Sequence, residues 1–170
     1  AHAHSSRDAI RCTYEYADFI RQFTDSLTVP KEAYPDGITV LSPIETWSDD
    51  FSMAIAGIPS TVNDFSAGPF MQNYYHSQYD NQDVYQEAVY QFHHECYLKL
   101  IMAIDRLVLP PMNFSNTMNA VADSIHENAL SFADSEQETL LQNLRTATES
   151  ARNIYKKICQ INEEYATLSD

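Results

Sequence analysis

The sequence predicts an α/β fold followed by an all-helical extension. Three observations carry this. Short apolar runs alternate with helical spacing over the first hundred or so residues, Pro110-Pro111 interrupts the longest helical run, and everything beyond it has helical spacing. Strands alternating with helices imply a parallel or mixed sheet covered by helices. The chain is accordingly divided into residues 1–109, the α/β part, and residues 110–170, a helical bundle.

Ala9 to Thr13 is predicted as the first strand. Tyr14 to Leu27 places Tyr16, Phe19, Ile20, Phe23 and Leu27 on one helix face. Val29-Pro30 and Tyr34-Pro35-Asp36-Gly37 are turn chemistry, and Ile38 to Leu41 suits a short buried strand. Asp49 to Ala56 reads as a short helix, capped by Ser48 or Asp49 and stopped by Gly57. Ile58 to Val62 is the next strand. From Asn63 to Gln82 the pattern is irregular. Loops of that length inside a domain are functional or disordered, and Phe65, Phe70, Tyr74, Tyr75 and Tyr79 favour function.

Asp83 to Leu109 is predicted as one long helix with Val84, Ala88, Phe92, Cys96, Leu100 and Ile104 on its apolar line. Beyond Cys96 it is apolar nearly all round, which implies burial on several sides. Pro110-Pro111 ends it. Phe114 to Phe132 is a further helix. Asp134 and Ser135, with Gln137 and Glu138 at capping-box spacing, open the last one. Its apolar positions Leu140, Leu144, Ala147, Ala151, Ile154, Ile158, Ile161, Tyr165 and Leu168 alternate steps of four and three, a 3.5-residue repeat. Such a seam belongs against another long helix, either within a bundle or in a second subunit. A homodimer is the expected assembly.

Composition narrows the function. At 44 % hydrophobic residues the chain can build a core, so wholesale disorder is excluded. Its three glycines, Gly37, Gly57 and Gly68, are scattered, and no phosphate-cradling loop can be made of them. A net charge of −14 argues against nucleic acid and against an anionic membrane as partner. The apolar run from Leu98 to Leu109 contains Lys99, Asp105 and Arg106 and is too short to span a bilayer. Cys12, Cys96 and Cys159 are an odd set without a C-x-x-C pair, which supports neither a disulfide framework nor a zinc ribbon. Cys96 lies on the apolar line and reads as a small core residue. His93-His94-Glu95 lacks the spacing of a zincin, His126 sits on an amphipathic helix, and His2-Ala3-His4 is a terminal pair. Asn113-Phe114-Ser115 matches a glycosylation triplet of the kind that arises by chance. No compartment is indicated.

The stretch Tyr75-His76-Ser77, following Gly57-Ile58-Pro59-Ser60 by one loop and followed by Tyr79-Asp80, carries the most information. With Ser48-Asp49-Asp50-Phe51 upstream, it resembles the last active-site segment of the di-zinc exopeptidases, which include aminopeptidases, glutamate carboxypeptidase and the catalytically silent transferrin receptor. The resemblance covers about residues 8 to 109 and implies that they form the C-terminal part of an α/β/α core. The helical tail resembles, more loosely, the first half of the dimerisation domain that follows the core in some members. The resemblance implies that His76 is a zinc ligand, that Tyr75 offers its hydroxyl to the oxyanion, and that the Asp49-Asp50 segment lies beside the substrate pocket. Helix capping is the competing role for Asp50.

The family's His-x-Asp pair, its adjacent Glu-Glu and its bridging carboxylate have no counterpart in this sequence. The chain therefore resembles the C-terminal portion of such an enzyme, one that acts on terminal peptide bonds with two zinc ions in a complete site. The alternative is a non-catalytic binding or dimerisation module of the transferrin receptor type. No Lys or Arg lies between Lys31 and Lys99, which tilts the expected substrate toward a peptide with a free amino terminus rather than a carboxylate.

Overall fold

The computed structural model describes residues 6–63, 72–125 and 134–168. The chain is mixed α/β and separates into two compact units. The first comprises Ala1–Thr13 and Ile20–Asp105, the second Tyr14–Phe19 and Arg106–Asp170.

In the first unit, β1 (Asp8–Cys12) is the middle of a three-stranded sheet ordered β2-β1-β3, with β2 at Ile38–Leu41 and β3 at Thr61–Asn63. The sheet is mixed. Asp8 to Arg11 run parallel to Ile38 to Leu41, whereas Ile10, Arg11 and Cys12 face Asn63, Val62 and Thr61 antiparallel. Alternation along β1 buries Asp8, Ile10 and Cys12 on one face, the period of two that a strand imposes. The turn feeding β2 is closed by Gly37, whose φ of +79° is the left-handed geometry glycine accepts without strain. Its carbonyl accepts from Asp8 N–H at 2.9 Å.

Helix α1 (Ala17–Asp25) is shorter than its predicted span, being preceded by a 3-10 turn at Tyr14–Tyr16. Helix α2 (Phe51–Ile55) ends in a Schellman motif, Ile58 N–H to Met53 C=O and Gly57 N–H to Ala54 C=O, both at 3.0 Å. That closure corrects the strand expected from Ile58. The Ile58 amide is committed to capping α2, and pairing starts only at Thr61.

Helix α3 (Glu87–Asp105) starts later than Asp83, after a separate 3-10 turn at Gln82–Val84 that Asn81 caps through Asp83 N–H at 2.8 Å. It buries Val89, Phe92, Cys96 and Leu100, the stripe of one face. The apolar residues around that stripe stay exposed, Ile101 at 65 % and Leu98 at 59 %, so the expected burial on several sides does not occur within this unit. Tyr34 is fully buried, its ring edge-on to Phe92 at 5.9 Å.

In the second unit, α4 (Phe114–Ser124) packs on α5 (Asp134–Leu168). Asn113 is the N-cap of α4, accepting from Ser115 N–H at 3.1 Å and Ser115 Oγ at 2.6 Å and donating to Asp18 at 2.5 Å. It is buried, so the glycosylation triplet is a capping motif here. The chain beyond Asp105 leaves the helix early because Asn162 of α5 takes the Val108 and Leu109 amides at 3.1 and 3.0 Å and donates to the Leu109 carbonyl at 3.0 Å. Helix α4 ends at Ser124, where Ile125 turns extended as its C-cap, so it is shorter than the predicted span to Phe132. His126 lies outside the described residues, as do His2 and His4. Along α5 the less exposed line runs Leu141, Leu144, Thr148, Ala151, Tyr155, Ile158 and Asn162. It shares Leu144, Ala151 and Ile158 with the predicted seam, whose Ile161 is half-buried as well, and leaves Ile154 59 % exposed and Tyr165 50 % exposed.

Candidate functional site

A cleft of about 800 Å³ opens in the first unit, within the range that holds small ligands. Four segments build it. β1 contributes Arg11 and β3 contributes Val62 and Asn63. The loop between β2 and α2 supplies Glu45, Trp47, Ser48, Asp49 and Asp50, and the turn before Ser77 supplies Tyr75 and His76. Asp50, Tyr75 and His76, the three residues singled out from sequence, thus line one cleft although 25 residues separate Asp50 from Tyr75.

The turn that presents Tyr75 and His76 is closed by Ser77 N–H to the Tyr74 carbonyl at 3.0 Å, and the Ser77 hydroxyl donates to the same carbonyl at 2.6 Å. Ser77 Oγ also accepts from Tyr79 N–H at 3.1 Å. His76 has a φ of +54°, the left-handed region that only glycine enters freely. Its ring stacks on that of Tyr75, centroids 3.9 Å apart and 19° from parallel. Strained backbone of this kind persists where the surrounding bonds hold it, and here the Ser77 contacts do so.

Asp50 occupies the N-cap position of α2 but makes no side-chain cap. Its backbone carbonyl takes the Met53 and Ala54 amides at 3.1 Å each, while the carboxylate turns toward Ser48, whose hydroxyl donates to Oδ1. Oδ2 is buried without a hydrogen-bond partner among the described residues. An acceptor oxygen left in that state is strongly favourable to any donor that reaches it.

The wall behind Asn63 is a polar cluster. Asp8 is 3 % exposed, and Asn63 Nδ2 donates to both of its carboxylate oxygens at 3.1 Å. Tyr97 of α3 donates to Asn63 Oδ1, His93 Nε2 lies 3.6 Å from Asp8, and the Tyr34 hydroxyl is 3.3 Å from the same nitrogen. Burial, with Asp8 adding to it, raises the Tyr34 hydroxyl well above its usual range. Burial also pushes the Cys96 thiol up to about 11, which keeps it protonated and inert, in keeping with a core residue.

Five lining residues, Arg11, Glu45, Trp47, Val62 and Asn63, escaped the sequence reading. Arg11 binds Glu45 at 2.9 Å and donates to the Pro43 carbonyl at 3.2 Å, so a cation does enter the cleft from outside the Lys31–Lys99 interval. The tilt against substrate carboxylates that rested on that interval is weakened accordingly, although Glu45 offsets the Arg11 charge. Trp47, the single tryptophan of the chain, is 63 % exposed. Its place immediately before Ser48-Asp49-Asp50 was the available signal.

A catalytic zinc ion takes about three protein ligands. Among the described residues no three His, Cys, Asp or Glu side chains come together to hold a metal ion. The donor set of the described residues by itself therefore does not fit a zinc centre. Comparison with family models, with curated proteins and with solved structures finds no match.

Proposed function

We propose that this chain supplies one wall of the active site of a zinc-dependent exopeptidase, in which the remaining metal ligands and the general base come from polypeptide outside these 170 residues. The observation that carries the reading is the convergence of Asp50, Tyr75 and His76 on one cleft. In this reading His76 is one zinc ligand, Tyr75 donates to the oxyanion of the attacked carbonyl, and Asp50 receives a donor of the peptide substrate on its unpartnered Oδ2. Trp47 forms the apolar side of the substrate cleft. The exposed apolar rows of α3 support the same reading, since they suit cover by further polypeptide of the parent fold.

The test is the reading frame from which the chain derives, followed by peptide hydrolysis with the product. A His-x-Asp pair and a Glu-Glu pair are expected upstream. His76→Ala abolishes release of terminal residues, and Tyr75→Phe lowers kcat by about 10²–10³, the effect of losing one oxyanion donor. Unchanged turnover in both variants removes this cleft from the active site.

A second reading, a non-catalytic module of the transferrin receptor type, draws on the absence of a three-donor group among the described residues. It differs in one measurable respect, because the complete protein would then hold no stoichiometric zinc.

A further inference from the structure

The charges that line the cleft of the first unit are unequal, and the imbalance falls on one loop. Among the described lining residues Arg11 is the one cation, and it stands against three carboxylates, Glu45, Asp49 and Asp50. Arg11 is already engaged, pairing with Glu45 at 2.9 Å and donating to the Pro43 carbonyl at 3.2 Å. No ion pair reaches Asp49 or Asp50 among the described residues. A substrate anion therefore meets two uncompensated carboxylates, whereas a substrate cation is drawn to them.

Asp50 and Trp47 decide which cation fits. Ser48 donates to Asp50 Oδ1, and Oδ2 is buried without a hydrogen-bond partner among the described residues. An N-cap carboxylate is ordinarily satisfied by amides of its own helix, yet no side-chain cap forms at α2. An ionised oxygen in that state gains more from a donor than an exposed one does. Three positions earlier, Trp47 is exposed on the same cleft and offers the flat face of its indole. A guanidinium answers both features. It is planar and stacks on an indole, and its parallel N–H bonds match the two oxygens of one carboxylate. An ammonium has neither the plane nor the fork. A neutral apolar side chain would cover Trp47 and leave the Asp50 oxygen unpaired.

We propose that the cleft selects peptides by a guanidinium side chain, which stacks on Trp47 and donates to the Asp50 carboxylate. The inference rests on the reading of this cleft as the substrate site of an exopeptidase, and it names what that site selects. Both recognising groups belong to one loop of this chain, so the selection needs none of the metal ligands supplied from outside it.

Trp47 is the single tryptophan of the chain, so its emission reports on this cleft. The probe is N-acetyl-argininamide, which has no free amino or carboxyl terminus and presents the side chain by itself. Titrated into the whole chain at neutral pH without metal, it is expected to quench Trp47 saturably with a Kd of about 1 mM. N-acetyl-citrullinamide, its uncharged isostere, and N-acetyl-lysinamide are expected to bind about tenfold more weakly. Asp50→Asn keeps the shape of the side chain and weakens N-acetyl-argininamide about tenfold. It leaves circular dichroism unchanged, because Asp50 makes no side-chain cap. The peptidase reading fails on a different result, turnover that survives His76→Ala and Tyr75→Phe. The guanidinium proposal is overturned by an emission that does not respond to N-acetyl-argininamide, by equal binding of either control, or by an affinity that Asp50→Asn leaves unchanged.

Discussion

Burying a carboxylate is costly unless its oxygens are hydrogen-bonded, and Asp8 shows how narrowly that condition is met. Both oxygens depend on one amide, Asn63 Nδ2, with His93 at 3.6 Å as the next cationic or donor group. Asn63→Ala removes that amide and leaves the Tyr97 hydroxyl without its acceptor as well. Hydrogen bonds to a charged group contribute about 1.5–3 kcal/mol, so urea unfolding of Asn63→Ala should show a loss of about 2–4 kcal/mol. Asn63→Asp should be at least as damaging, because it sets a second carboxylate against the first. A loss below about 1 kcal/mol in both would mean that water solvates Asp8. Little of this was legible beforehand. Asp8 preceded the predicted strand and Asn63 began a predicted loop, and only the antiparallel return of β3 makes them partners. Asp50 was legible only as two competing roles. The carboxylate's turn toward Ser48 instead of the α2 amides is a geometric outcome that composition does not determine.

Elements were easier to read than their ends, and the ends were set by single polar side chains. The heptad pattern located α5, and the Pro110-Pro111 break located the end of α3 to within a few residues. What the pattern did not contain was Asn162. It stands on the half-buried line of α5 and satisfies three backbone groups of Val108 and Leu109 that the proline break leaves without helical partners. An asparagine among isoleucines looks like a weakness in a helix seam, yet here it fastens the entry to the second unit. Asn162→Ala should cost about 2 kcal/mol in denaturant, and Asn162→Asp less, because the two amide donors keep their acceptor. Equal losses for the two variants would show that packing, not hydrogen bonding, is the main role of this side chain. The same limit explains β3. Periodicity predicted a strand from Ile58, but the left-handed Gly57 commits the next amide to α2, and a local cap outcompetes an edge ladder.

At the level of the whole molecule, Asp50, Tyr75 and His76 were singled out only through the resemblance to the di-zinc exopeptidases, while Arg11, Glu45 and Trp47 came into view once the sheet order was known. Spacing along a chain reports which residues could act together. Strand order reports which ones do meet. This distinction bears on zinc. His76 stands in an exposed turn, and no group of three donors forms among the described residues, so an ion bound by the chain alone stays largely hydrated. Affinity no tighter than about 1 μM is expected, corresponding to roughly −8 kcal/mol, against the far larger values of closed three- and four-ligand sites. Titration against a chromogenic zinc chelator measures this directly. Trp47 offers a second readout, since the only tryptophan lines the same cleft and its emission should change little on adding the metal. A stoichiometric nanomolar site that vanishes in His76→Ala would reverse the conclusion. It would require that His2, His4 or Asp64, which lie outside the described residues, complete the ligand set, and the catalytic wall proposed for this chain would then be close to a whole metal centre.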